Sequence, residues 1–500
     1  MTRPSLSNIV VASWLVAVAG IPDARSQTVL ATAYGNRNEY SGWSVAAGPD
    51  LDGDGIQDVA VGAIGTGATR ARIRILSGID LHELKVLHGA SDKFGYALCW
   101  CGDLDGDGIA ELAVGAPAGQ QVHVFSPASW NEIRTLNSSV TDFGFSLVDA
   151  GDVNGDGFDD LVVGVPGGPI NPAAVIVYSG ANGSILFQSN GGYDALGWSI
   201  AMVGDVNGDG ISDIAAGAPH YSATSHSEWS GAVSLFSGVD GTLLWQTIGT
   251  YSMYQDSYGV WHYEGQNLGF SVTRAGDFNG DGIPDVVAGQ YRGGFNDILS
   301  GADGSILFQF GGGPEGPLTA IGDNDGDGRP DVAFPVSSAF SVLSGSDWST
   351  LWLTFGATGQ EWYRAIAPIG DVDGDGRTDL LVGNATDSTN GNGCGAVQLI
   401  SIDDLWLNYH GRWLVGGAYI SISVRKGPPG NLSGIAVTAV NGAPTFMLAG
   451  IATFDATGTS TPVNGFVPTG LSGTTVDLIA LAIDASGRLV QSCDHSYLLK

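Results

Sequence analysis

The sequence predicts an all-β protein: a seven-bladed β-propeller of four-stranded blades, followed by a C-terminal β-sandwich-like domain. Three observations carry that prediction. An acidic nine-residue loop returns seven times, the returns are about fifty residues apart, and each loop runs into a short apolar stretch of strand character. The loops begin at Asp50, Asp103, Asp152, Asp205, Asp277, Asp323 and Asp371, at intervals of 46 to 72 residues. Such a period means a propeller or a solenoid. Four antiparallel strands per period make a blade, and closing seven of them into a ring protects edges that an open array leaves bare.

The third period illustrates the elements. Residues 145–149 form the first strand, the acidic loop follows, and Asp160–Val165, Ala174–Tyr178 and residues 185–188 form the second, third and fourth.

Each loop is acidic at positions one, three, five and nine, or has asparagine at three, with glycine at four and six. Carboxylates at alternate positions of a tight turn converge, and at ~4 Å and an effective dielectric of ~20 each pair repels by about 4 kcal/mol. A hard divalent cation removes that repulsion. A flexible all-protein oxygen set suits calcium better than magnesium, which keeps its waters. The candidate ligands are Asp50, Asp52, Asp54, Ile56 and Asp58 in the first loop and Asp103, Asp105, Asp107, Ile109 and Glu111 in the second. The third has Asp152, Asn154, Asp156, Phe158 and Asp160, the fourth Asp205, Asn207, Asp209, Ile211 and Asp213, and the fifth Asp277, Asn279, Asp281, Ile283 and Asp285. The sixth has Asp323, Asp325, Asp327, Arg329 and Asp331, and the seventh Asp371, Asp373, Asp375, Arg377 and Asp379. The seventh-position residue offers its backbone carbonyl, and in five copies its apolar side chain can anchor the loop. Up to seven structural Ca2+ ions are expected. Glycine holds position six because the chain reverses there through positive φ. An EF-hand starts similarly but needs a bidentate glutamate at position twelve and flanking helices. Position twelve here is Val61, Val114, Val163, Ala216, Ala288, Phe334 or Val382, so the loop joins two strands. A plain Asp-Gly hairpin is the alternative for any single copy; seven copies with four fixed polar positions favour the ion.

Around the loops recur Phe94-Gly95 with Val114-Gly115-Ala116-Pro117, Phe143-Gly144 with Val163-Gly164-Val165-Pro166, and Leu196-Gly197 with Ala216-Gly217-Ala218-Pro219. On these residues the chain resembles the FG-GAP repeats of the integrin α-subunit N-terminal β-propeller, over roughly residues 28–405. The resemblance implies a seven-bladed propeller with calcium-bearing hairpin loops on one face, a partner-binding face opposite, and an adhesion-like recognition function. Copies six and seven depart from it, with Pro317-Leu318-Thr319 and Tyr363-Arg364-Ala365 in place of Phe-Gly, so those blades are expected to be less regular. Residues 28–33, followed by Gly42-Trp43-Ser44, repeat the passage from Ser184 to Ser199 that crosses from a fourth strand into the next blade. They are expected to complete the seventh blade and clasp the ring; residues 405–408 compete for that slot.

Residues 1–26 read as a signal peptide: Arg3 precedes an apolar stretch from Ile9 to Gly20, and Ala24-Arg25-Ser26 is a small-x-small cleavage site. Residues 27–405 form the propeller, and 406–500 a small β-rich domain of alternating stretches between Gly/Pro/Thr-rich turns. No other segment approaches eighteen apolar residues, so a secreted or extracytoplasmic protein without a transmembrane anchor is expected. The net charge of −32 excludes a nucleic-acid role, which needs a basic surface. Twenty-five of the 51 acids fill loop positions. Four cysteines, Cys99, Cys101, Cys394 and Cys493, allow three pairings. Cys394 with Cys493 would staple the last blade to the tail, Cys101 has other partners open to it, and buried free thiols are the alternative. Asn137, Asn384 and Asn431 head glycosylation sequons.

The 72-residue interval between copies four and five holds two enlarged loops. Residues 219–230 carry His220, Tyr221, His226 and Trp229, and residues 249–267 carry Tyr251, Tyr254, Tyr258, Trp261, His262 and Tyr263. Both are expected on the face opposite the acidic hairpins. Aromatic side chains give large contact area at small entropic cost, so Tyr221, Trp229, Tyr254, Tyr258, Trp261 and Tyr263 are the candidate contacts for an extracellular protein or glycan. The competing expectation folds these rings over their own blade. A metal site of His220, His226 and His262 is a weaker alternative without diagnostic spacing. There is no His-Glu-x-x-His or Gly-x-Ser-x-Gly motif, and Ser44, Ser146, Ser199 and Ser271 recur once per blade as strand residues rather than nucleophiles. The chain therefore reads as a binding module rather than an enzyme. A polysaccharide lyase or hydrolase, the lyase with Arg274 or Arg364 as base, is the other reading.

Overall fold

The computed structural model describes residues 28–402 except 66–70, 90–92, 169–171, 193, 223–228, 256–260, 292–294, 312–315, 337–338, 347, 349, 356–364 and 375. Beyond residue 405 it describes the backbone of the strands alone.

Why the second strands are apolar throughout follows from where they sit. Val59–Ala63, Glu111–Ala116, Asp160–Val165, Asp213–Ala218, Asp285–Gln290 and Asp379–Asn384 are buried at every residue, because both faces of each sheet pack on a neighbouring sheet. Alternation is lost when neither face meets water. Seven four-stranded antiparallel sheets result, the third being Ser146–Gly151, Asp160–Val165, Ala174–Tyr178 and Ile185–Asn190, within two residues of expectation. Every described element is a strand.

The inner strands follow one another around the ring and the first meets the last, so the seven sheets form a closed propeller. Its core is divided: separate apolar clusters fill the gaps between adjacent blades, such as Val122, Val124, Phe143 and Val163 between blades 2 and 3. The Phe-Gly and Gly-Ala-Pro motifs meet across these gaps. A Cβ at Gly115 or Gly164 would strike the carbonyl of Gly144 or Gly197 in the next blade.

Closure uses the N-terminal strand. Thr28–Tyr34 pairs antiparallel with Ala396–Ser401 and completes blade 7, whereas Trp406–Tyr409 pairs with Tyr419–Arg425. The segment after it zips onto the loop before residue 396: Gly35 donates to the Gly395 carbonyl at 3.0 Å and Ser41 to that of Cys394 at 3.1 Å. Glu39, buried, holds Arg72 at 2.8 Å, and Arg74 Nη1 donates to the Tyr34 carbonyl at 3.1 Å.

Blade 6 is the irregular one, its inner strand reduced to Thr319–Ala320. Blade 7 keeps a six-residue inner strand, Ala365–Gly370, despite lacking Phe-Gly. The second enlarged loop contains a two-stranded ribbon, Tyr251–Gln255 against Trp261–Gly265, that stands outside the seven sheets. Residues 27–403 form one compact unit. Beyond it the backbone forms two further antiparallel sheets, one of Trp406–Tyr409, Tyr419–Arg425 and Val463–Phe466, the other built on Leu432–Val440, Ala443–Thr453 and Thr475–Ile483.

Candidate functional site

Each acidic loop joins an inner strand to the second strand of its blade. The glycines at position six have φ between 87° and 93°, the left-handed turn that aims successive carboxylates inward. The first-position carboxylate organises the turn: in all seven copies its Oδ2 accepts from the position-six N–H at 2.7–2.9 Å. That N–H is the main cause that holds Asp50, Asp103, Asp152 and Asp205 below the usual carboxylate range.

The ninth-position carboxylate is the opposite case. Asp58, Glu111, Asp160, Asp213, Asp285, Asp331 and Asp379 are fully buried and accept one bond each from the position-two N–H. Burial pushes Asp58, Asp160, Asp213 and Asp285 up, and Glu111 and Asp331 up to about 7. The other oxygen accepts from Gly78, Gly180, Gly238, Gly301 or Gly345 at 2.9–3.1 Å. In the second loop Pro127 stands there and has no N–H to give. Glu111 Oε1 is consequently buried without a hydrogen-bond partner.

In four loops the acidic oxygens come within 4.8 Å of one another: Asp50, Asp52 and Asp58; Asp103, Asp105, Asp107 and Glu111; Asp323, Asp325 and Asp331; Asp371, Asp373 and Asp379. The other three have asparagine at position three, and Asn207 and Asn279 donate to Asp209 and Asp281 at 2.8 and 2.9 Å. Asp375 lies outside the described residues. A hard oxygen-seeking cation fits this donor set, most plainly in the second loop, where four carboxylates gather and one of them, Glu111, has an orphaned oxygen. At position seven Phe158 and Ile211 pack on core clusters, while Arg329 instead donates to the Phe278 carbonyl of the previous loop at 2.6 Å.

One contributor escaped the sequence reading. A serine closing the third strand reaches back to the loop: Ser77, Ser126, Ser179, Ser237 and Ser344 donate to the fifth-position aspartate and Ser401 to Asp373. The signal was there, since Leu-Ser-Gly, Tyr-Ser-Gly or a close variant follows each third strand.

At the opposite end of the inner strands, the residue after each Phe-Gly-type glycine points to the ring's axis. Trp43, Tyr96, Phe145, Trp198 and Phe270 form a chain of tilted rings with centroids 4.7–5.8 Å apart, extended by Tyr291. The chain faces a central cavity of about 1240 Å³. His220 packs on Trp198 and stacks under Trp229 at 4.7 Å; burial lowers its pKa, which favours the neutral ring. The serines beside these rings are structural: Ser44, Ser146 and Ser199 each donate to a carbonyl of the next blade at 2.7–3.0 Å.

Of the candidate contacts, Trp229 lies on the cavity wall with 46% of its surface exposed. Tyr221 packs on the apolar cluster between blades 3 and 4. Tyr254, Trp261 and Tyr263 fall on the ribbon, where only the backbone is described, and Tyr258, His226 and Arg364 lie outside the described residues. Cys99, Cys101 and Cys394 are buried free thiols, and burial pushes all three up. Cys493 and residues 1–26 lie outside the described residues. No helix among the described residues is long and apolar enough to cross a membrane.

A family model of the FG-GAP repeat matches residues 41–70, 94–125, 145–185, 196–236 and 363–400, in five of the seven blades. Over 258 residues, 51% of this chain, the sequence is 29% identical to integrin alpha-5 of Xenopus laevis and 28% identical to integrin alpha-PS2 of Drosophila melanogaster. The match spans only 20% and 16% of those proteins' lengths. Among solved structures, the V. cholerae biofilm matrix protein Bap1 aligns over 76% of this chain and 91% of its own, with a TM-score of 0.47 at 14% identity. With the blades and loops as described, the chain carries FG-GAP repeats in five of its blades and resembles the integrin α-subunits.

Proposed function

We propose that this chain is an exported, calcium-stabilised propeller that recognises an extracellular protein or glycan at the aromatic mouth of its ring. The observation that carries the reading is the unbroken run of rings from Trp43 to Phe270, continued outward by His220 and the exposed Trp229. Aromatic surface of this kind is what interfaces use as anchors, and a monomer gains nothing from leaving it open. The oxygen clusters at the other end and the similarity to integrin α-subunits support calcium as the resident ion. By binding the folded state alone, it would raise stability with its concentration.

Trp229→Ala and Tyr291→Ala test the surface, because both side chains are exposed and their loss should leave the melting temperature within a degree or two. Arrays of glycans and extracellular proteins probed with the wild type should yield ligands that both variants lose. Ligands held equally by all three proteins would contradict the proposal.

In this reading the ring is a binder. Arg274, the base named for a lyase, does line the cavity. Release of unsaturated sugars from a polysaccharide panel would replace recognition with catalysis.

A further inference from the structure

We propose that the channel takes an acidic oligosaccharide, with sugar rings on the aromatic mouth and a uronate carboxylate on Arg274; the inference rests on the recognition reading above and narrows its partner to an acidic glycan. Among the described cavity-lining residues, Arg274 is the only Asp, Glu, Lys or Arg. The chain has 51 acids for 19 bases, yet this guanidinium makes no ion pair or hydrogen bond among the described residues. It is exposed, and it lies against Gly204 of the neighbouring blade, where the missing side chain leaves it room. Among the described lining residues no carboxylate stands between this arginine and an anion entering from the aromatic mouth.

The spacing selects the anion's carrier. Arg274 stands four residues beyond Phe270 on the strand Leu268–Gly276, which at ~3.3 Å per residue puts it about 13 Å below the ring chain. A ligand reaching both must be extended, with flat apolar faces at one end and a planar oxyanion at the other. Linked pyranose rings supply the faces, and a uronate carboxylate matches the guanidinium fork. An acyl chain with an acid head is the rival by charge. The cavity of about 1240 Å³ is wider than the roughly 300–1,000 Å³ of pockets that enclose small ligands, so it would leave such a chain wet. Sugar hydroxyls keep their water there at no cost.

Calorimetric titration of the full chain in calcium buffer tests this with tetramers of galacturonate and mannuronate, their methyl esters as neutral twins, and laurate. The acids should bind roughly tenfold or more tightly than the esters. Arg274→Met should erase that preference while leaving ester binding, and Arg274→Lys should keep part of it. Acids and esters binding alike, a preference that survives Arg274→Met, laurate binding in place of the saccharides, or no saccharide binding would each overturn the inference. The recognition reading fails separately: Trp229→Ala would then leave every affinity unchanged.

Discussion

Gly180 carries three constraints on one residue. Its N–H serves the buried Asp160, its carbonyl accepts from Arg134 of the preceding blade, and a Cβ on it would press on the Asp159 carbonyl. Gly180→Ala should therefore destabilise the fold by about 1–3 kcal/mol, the usual cost of overpacking, read as a lower denaturant midpoint at unchanged slope. The ninth-position acids make a second residue-level prediction, on pH. Burial raises Glu111 from its ordinary 4.5, and Asp331 from 3.8, to about 7. The metal-free folded state thus keeps protons that the unfolded chain has already released. Its stability should fall as pH rises from about 4 to about 7 and level off above. A calcium ion bound at these loops would displace those protons, so its stabilising effect should grow across the same window. Melting at pH 5 and pH 8, with and without calcium, checks this; an increment no larger at pH 8 would contradict it. The second loop should depend on the ion most, because Pro127 leaves Glu111 Oε1 with no substitute.

Among the elements, the strand Thr28–Tyr34 matters most, since it supplies the fourth strand of blade 7 from the other end of the ring's sequence. Deleting residues 28–34 should leave Ala396–Ser401 as a bare edge. The ring should then lose cooperative melting and aggregate, as read by calorimetry and size-exclusion chromatography. Recovery by a synthetic 28–34 peptide would show that the strand acts by pairing; a deletion that melts like the parent would contradict the clasp. Its role was legible because the passage at residues 28–44 repeats a known crossing between blades. The shrunken inner strand of blade 6 was legible only in part: Pro317-Leu318-Thr319 lacks the glycine turn, but Tyr363-Arg364-Ala365 lacks it too and precedes a full inner strand in blade 7. The ribbon Tyr251–Gln255/Trp261–Gly265 was not legible, because Tyr251 and Tyr254 break the alternation of a strand and no two-residue turn links the pair.

For the whole molecule, the ring and its acidic loops could be read from spacing, since a period repeated seven times overrides local ambiguity. The aromatic mouth could not. Trp43, Tyr96, Phe145, Trp198 and Phe270 lie 49 to 72 residues apart in the chain and become neighbours only when the blades close. The same closure sets the acidic loops in a circle at one end of the channel and the aromatic residues at the other. The central claim is that the loops are structural cation sites. Thermal unfolding of residues 27–500 in excess EDTA and in millimolar calcium, with bound metal counted by elemental analysis, tests it most directly. Several ions per chain and a melting temperature that climbs with calcium concentration are the expected result. No bound metal and superimposable melts would mean that the seven loops are hairpin turns and nothing more.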